Sequence, residues 1–375
     1  MDLLSNPIKD YPWGSRTAIA GLAGRVADGP EAEMWLGAHP ASPSLLVRDG
    51  APDRTLADAV AADPVGMLGR PVAERFGARL PYLMKLIAVD RPLSLQVHPD
   101  AAQAAEGHAR GDANYTDPWH KPELVCALTP FTGLAGLRSA DQAAKLIDRL
   151  HVRALQPVVD RLSSGDRLGA LRALLETPEP RRKLIESIVW AASAVHHPEY
   201  ALVVRLARRY PEDPAVLAPL LMHRHELAPG EALFLGAGVL HCYLDGFAVE
   251  MMACSDNVLR AGLTGKPIDV PGLLRITDPE AQPVPVPPVV QGGDGVYAPP
   301  CPEFRLRRIA VSGEGGVLAG ELPRTVLCVE GRVRLGAEPG SQIKLGPGES
   351  VFVAASDGPV ELSGEGVVFC AEPQP

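Results

Sequence analysis

The sequence predicts a mainly β protein carrying an α-helical insertion, and three observations support that class. Short segments of alternating polarity, punctuated by Gly and Pro, open and close the 375-residue chain. From residue 139 to about residue 221, Leu, Ile, Val and Ala recur instead at helical spacing. Finally, Leu227-Ala228-Pro229-Gly230-Glu231-Ala232-Leu233-Phe234-Leu235 is echoed by Leu345-Gly346-Pro347-Gly348-Glu349-Ser350-Val351-Phe352-Val353. A strand, a Pro-Gly-Glu turn and a strand recur, which predicts two copies of one β-unit.

Taken in order, residues 1–50 read as an irregular β region, with a short strand at Glu33-Met34-Trp35-Leu36-Gly37 entering a turn at Ala38-His39-Pro40. His39 reads as a hydrogen-bonded loop residue. A helical patch is predicted near 53–78, then an apolar strand over 81–89 and a second strand over 93–98. Residues 100–118 are polar, with Gly107, Gly111 and Pro118, and read as a long loop of the kind that forms lids. The insertion shows further helical stretches at 166–176, 180–194, 198–209 and 213–222. Its histidines (His151, His196, His197, His223, His225) read as surface or packing residues. The expected division is a discontinuous domain over 1–138 and 222–282, a helical insertion over 139–221, a Pro/Gly-rich linker over 283–300, and a C-terminal β domain over 301–375. The first β-unit runs on to His241, whereas the same offset in the second lands on Pro359, so the C-terminal domain is expected to lack a metal site.

Composition narrows the function. The chain is 46% hydrophobic and 22% charged, as in a soluble globular protein, and its net charge of −9 argues against a nucleic-acid partner. An anionic substrate must then be met by a few placed Lys or Arg residues. No signal peptide and no membrane-length apolar run is visible, and six scattered cysteines without a Cys-x-x-Cys pair fit a reducing cytoplasm.

Three stretches carry candidate chemistry. In Ser94-Leu95-Gln96-Val97-His98-Pro99-Asp100, strand periodicity places Gln96 and His98 on one face, either as two corners of a metal site or as the polar side of a half-exposed strand. In His120-Lys121-Pro122-Glu123, Lys121 and Glu123 would share a face, as site residues or as a surface ion pair. In Leu240-His241-Cys242-Tyr243-Leu244-Asp245-Gly246-Phe247-Ala248-Val249-Glu250, Asp-Gly signals a two-residue hairpin. That register sets His241 opposite Glu250 with Cβ atoms roughly 5 Å apart. Such a pair serves metal ligation or proton transfer. Gln96, His98, Glu123 and His241 offer only nitrogen and oxygen donors, a set suited to Zn²⁺ or a similar divalent ion on a β-barrel.

Beyond these, Tyr11-Pro12-Trp13-Gly14-Ser15, Glu33-x-Trp35-x-Gly37-Ala38-His39-Pro40 and Ser255-Asp256-Asn257-Val258-Leu259-Arg260-Ala261-Gly262-Leu263-Thr264 occur in order with the first two stretches. Together they resemble the type I mannose-6-phosphate isomerases, zinc enzymes of the cupin superfamily. The resemblance implies two cupin (jelly-roll) β-barrel domains plus the helical domain. It also implies one Zn²⁺ per chain on Gln96, His98, Glu123 and His241. It makes Arg260 the catalytic arginine and places Lys121, Glu250, Lys85 and Ser94 around the substrate pocket. The implied reaction interconverts mannose 6-phosphate and fructose 6-phosphate through a cis-enediol. The expected setting, from composition, is the cytoplasm without nucleic-acid or membrane partners, and the expected state is a monomer. Glu250 is the candidate for proton transfer, with Lys121 or Lys85 as alternatives. Two departures stand at the pocket rim, Gly265-Lys266-Pro267 where the family has Pro-Lys, and Gly238-Val239-Leu240 where it has Pro before the histidine. Competing readings are another metal-dependent cupin enzyme, such as an iron dioxygenase, and a non-catalytic sugar-binding cupin.

Overall fold

A computed structural model describes residues 1–47, 54–291, 294–336 and 342–374. Asp53 of the predicted helical patch, Gly292 and Gly293 of the predicted linker, and residues 337–341 and 375 of the C-terminal domain lie outside the described residues. Two large antiparallel sheets dominate, one of eleven strands and one of ten, with helices between and beside them.

The eleven-stranded sheet is built around one long strand, His241–Ala253. Its first part pairs with Leu95–Val97 and Phe131–Leu137, and its second part with Tyr82–Val89 and Glu123–Ala127. The predicted hairpin at Asp245-Gly246 is therefore absent. Gly246 instead bends a continuous strand, at φ +127° and so close to Phe131 that a Cβ would lie 2.7 Å from its Cα. Glu250 consequently faces Lys85 in register, not His241. The local Asp-Gly signal lost to pairing with four other strands.

Alternation along these strands separates two environments. Met84, Leu86, Leu124, Cys126, Val249 and Met251 join a core shared with Phe304 and with Leu306, Phe352 and Phe369 of the other sheet. Ile87, Val89, Val125 and Ala248 face inward with Tyr243, and so do Lys85, Glu123 and Glu250 by the same period. The sheet is covered on both faces, which explains why 81–89 reads as an unbroken apolar run interrupted only by Lys85.

The insertion leaves at Leu137 and returns at Met222, two residues paired to each other, so it extends the end of a hairpin. Its helices include Ala140–Asp148, Arg167–Leu175, Arg182–Ser193 and Pro198–Arg209. Ser139 and Asp166 cap two of them through their side chains, and Ile147, Leu171, Leu174, Ile188, Val203 and Leu206 form their core.

Three expectations need correction. Residues 100–118 are not one loop, because Ala101–Ala109 is a helix. Asp100 and Gln103 form a capping box at its start, and Gly107 lies against the Tyr115 ring, where a Cβ would come within 2.4 Å. The predicted linker carries the short strands Val284–Pro285, Val289–Gln291 and Asp294–Tyr297. And the N-terminal strands Asp2–Ser5, Leu45–Val47 and Arg54–Thr55 complete the ten-stranded C-terminal sheet, although they fall within the 1–138 segment. Among the described residues no helix is long and apolar enough to cross a membrane.

Candidate active site

His98 lies just past the strand Leu95–Val97, Glu123 begins Glu123–Ala127, and His241 begins His241–Ala253. Pairing of His241 with Gln96 brings the first and third of these strands into contact. His98 Nε2 lies 3.1 Å from Glu123 Oε1, and His241 Nε2 lies 3.5 Å from Glu123 Oε2. All three side chains are buried, and their ligand-capable atoms lie within 4.8 Å of one another.

The hydrogen bonds fix how the imidazoles present themselves. His98 Nδ1 donates to the Asn257 carbonyl at 2.7 Å, and His241 Nδ1 donates to the Val239 carbonyl at 2.9 Å. With Nδ1 so occupied, each ring turns its Nε2 toward Glu123. Burial pushes the His98 pKa down to about 4, which keeps that ring neutral at physiological pH. Burial works against charge on Glu123, but its positive surroundings, Lys121 among them, outweigh that cost and hold its carboxyl below the usual range. His98 Nε2 and Glu123 Oε2 are buried and make no hydrogen bond. Two imidazoles anchored through Nδ1 and a carboxylate, with orphaned atoms converging, fit a divalent metal ion. Gln96 stands at the edge of the cluster. Its Nε2 faces His241 Nε2 at 3.2 Å, and its Oε1 accepts from Ser94 Oγ at 3.0 Å.

The cluster borders a cavity of about 380 Å³ lined by Ser94, Gln96, Lys121, Glu123, Lys85, Glu250 and Arg260. The predicted site residues thus meet, except that His241 and Glu250 are not cross-strand partners. Lys121 and Glu123 do meet, at 3.5 Å, with Glu123 buried and Lys121 half-buried beside it, and not as a surface pair. Lys85 Nζ sits 3.1 Å from Glu250 Oε2 and 3.7 Å from Glu33 Oε1. Burial disfavours the Lys85 ammonium, yet the carboxylates of Glu250, Glu33 and Glu123 raise its pKa above the ordinary value, so it stays charged. Burial raises the Glu250 pKa, helped by Glu123 and Glu33 and opposed by Lys85. His39 is a loop residue as expected, 3.4 Å from Asp256 and edge-on to Trp35.

Sequence reasoning missed the wall that the insertion contributes. Arg209 and Tyr210 line the same cavity. Three residues on, Asp213 Oδ2 accepts from the Leu263 amide at 2.6 Å, and Leu263 is one of two non-glycine residues at positive φ among the described residues. Leu263, Thr264, Gly265 and Lys266 form the adjoining rim, with Lys266 over the Tyr11 ring. No spacing in the sequence joins Arg209 to this rim; only a buried Asp-Pro start at Asp213-Pro214 hinted at an anchored turn.

Residues 1–140 match the family model for the phosphomannose isomerase type I catalytic domain. The chain is 36% identical to the mannose-6-phosphate isomerase of Escherichia coli (strain K12) over 386 residues, covering 98% of each. A crystal structure of a point-substituted phosphomannose isomerase from Salmonella typhimurium superposes with a TM-score of 0.94 at 33% identity, covering all of both chains. A mannose 6-phosphate isomerase solved with zinc bound gives 0.93 at 33% identity, covering 100% of this chain and 99% of that one. A shared fold over the full length, together with this level of identity, shows that the chain belongs to the type I phosphomannose isomerase family.

Proposed function

We propose that the protein interconverts mannose 6-phosphate and fructose 6-phosphate through a cis-enediol, with zinc held by Gln96, His98, Glu123 and His241. The observation that carries this reading is the convergence, on one cavity, of a buried His–Glu–His cluster, a carboxylate of raised pKa and an arginine. Gln96 would join the ligands through its carbonyl oxygen once its amide turns away from Ser94. Bound zinc supplies Lewis-acid polarisation of the sugar's carbonyl and hydroxyl oxygens.

The chain's own residues do the rest. Glu250 takes the proton from C2 of open-chain mannose 6-phosphate and returns it to C1, while a hydroxyl proton passes from O2 to O1. Its raised pKa brings the carboxylate closer to the balance between accepting and releasing a proton near neutral pH. Lys85, held charged, is suited to steadying Glu250 and not to acting as the base. Arg260 is half-buried on the cavity wall and keeps its charge, which suits a bidentate grip on an oxyanion or phosphate. Ser94, Lys85 and Lys121 are proposed to orient the substrate. The proposed state is a monomer and the proposed setting the cytoplasm, the latter supported by six buried free thiols.

The test is to incubate the purified protein with fructose 6-phosphate and quantify mannose 6-phosphate. Conversion to an equilibrium mixture supports the proposal. A fully zinc-loaded protein that binds the sugar phosphate without converting it would favour a binding role instead.

A further inference from the structure

The stretch Ser255-Asp256-Asn257 lies outside the cavity chemistry except for Asp256, yet Asn257 is fully buried and every polar atom of its amide is used. Its Nδ2 donates to the carbonyls of Asp117 at 2.7 Å and Trp119 at 2.8 Å. Its Oδ1 accepts from the Asp117 amide at 3.3 Å. Its backbone amide donates to Ser255 Oγ at 3.2 Å, and that hydroxyl donates in turn to the Trp119 carbonyl at 3.1 Å. The Asn257 carbonyl is the acceptor for His98 Nδ1.

The consequence is geometric. His98 and Glu123 come from strands that do not pair with each other. The 117–119 loop leads directly through His120, Lys121 and Pro122 into Glu123. On the other side, the chain after Asn257 runs antiparallel to the ligand strand, with Leu259 opposite Val97 and Arg260 opposite Gln96. Asn257 is therefore the one residue, among the described residues, that bonds both to the loop carrying Glu123 and to the ring of His98. Arg79 reinforces the junction, stacking over Trp119 at 4.1 Å and donating to the Cys254 carbonyl.

We propose that Asn257 is a positioning residue that sets the mutual placement of His98 and Glu123, and through it the affinity for a divalent transition metal. This inference rests on the zinc-site reading above. The test variant is Asn257→Asp, which keeps the shape but replaces the two-proton donor with an oxygen facing two carbonyls. Zinc affinity is measured by competition with a chromophoric chelator, and ligand geometry by the visible spectrum of the cobalt-substituted protein. Gly364→Ala, in the C-terminal sheet, serves as a control that destabilises the fold away from the site. The expected result is a zinc dissociation constant raised about 10–100-fold in Asn257→Asp, with an altered cobalt spectrum. Gly364→Ala should leave both at their wild-type values. Should Asn257→Asp fail to fold, Ser255→Ala removes the parallel link from the Asn257 backbone amide through the Ser255 hydroxyl to the Trp119 carbonyl and is judged by the same two readouts. Affinity within about threefold of wild type and an unchanged spectrum, or equal weakening in Gly364→Ala, would overturn the inference alone. A wild-type protein that binds no zinc would overturn both this inference and the reading beneath it.

Discussion

The strands His241–Ala253 and Val360–Glu372 occupy the same place in two copies of one β-unit, yet one borders a charged cavity and the other an apolar core. The likeness extends past the Pro-Gly-Glu turn. In both turns the glutamate side chain accepts from a backbone amide three residues earlier, Glu231 from Ala228 and Glu349 from Gly346. The spacing that separates Leu227 from Leu345 also carries Gly246 onto Gly364, and each glycine bends its strand at positive φ. The same spacing carries Glu250 onto Val368, which is fully buried among Val326, Cys328 and Cys370. Burying a charge costs several kcal/mol unless partners offset it. The first unit nonetheless buries Lys85, Glu33, Glu123 and Glu250 together. The second buries Arg324 against the Leu318, Ala319 and Gly358 carbonyls, but at the position matching Glu250 it packs apolar side chains. The scaffold is common to both; the chemistry resides in a few inward positions of one.

This contrast yields tests of decreasing size. Removing a ligand should abolish function: His241→Ala is expected to lose metal and isomerase activity together, checked by metal analysis and product assay. Arg260→Ala should lower kcat by orders of magnitude while metal content stays at the wild-type level, and unchanged turnover would remove the arginine from the chemistry. Lys85→Met probes the carboxylate. Because Lys85 lowers the Glu250 pKa, its loss should raise that pKa further. The base is active when ionised, so activity is lost as pH falls through this pKa. The acidic limb of kcat/KM should therefore move to higher pH in the variant. Gly364→Ala should have the smallest effect on function. A Cβ there lies 2.4 Å from the Arg332 carbonyl, at a φ of +110°. We expect about 1–3 kcal/mol lost in denaturant unfolding, with kcat unchanged.

Much of the site was legible because its signals are local. Gln96 and His98 follow the period of a strand that the structure keeps at Leu95–Val97, and the repeated turn disclosed two β-units before any pairing was known. What escaped was set by distant contacts. Asp245-Gly246 has the composition of a hairpin turn, but four neighbouring strands hold it straight enough to continue one strand. Gly107 disguised a capped helix because the glycine is there to admit the Tyr115 ring. Strand Asp2–Ser5 joins Ser350–Val353 across nearly the whole chain and carries Leu45–Val47 on its other edge, pairings no local pattern encodes. Arg209 reaches the cavity only because the helical insertion folds back over the rim.

The most direct measurement is to strip the protein with a chelator and titrate zinc back while following conversion of fructose 6-phosphate. The account predicts that activity disappears on stripping and rises linearly to a break at one zinc per chain. Activity that survives complete removal of metal, or a break at two per chain, would contradict it.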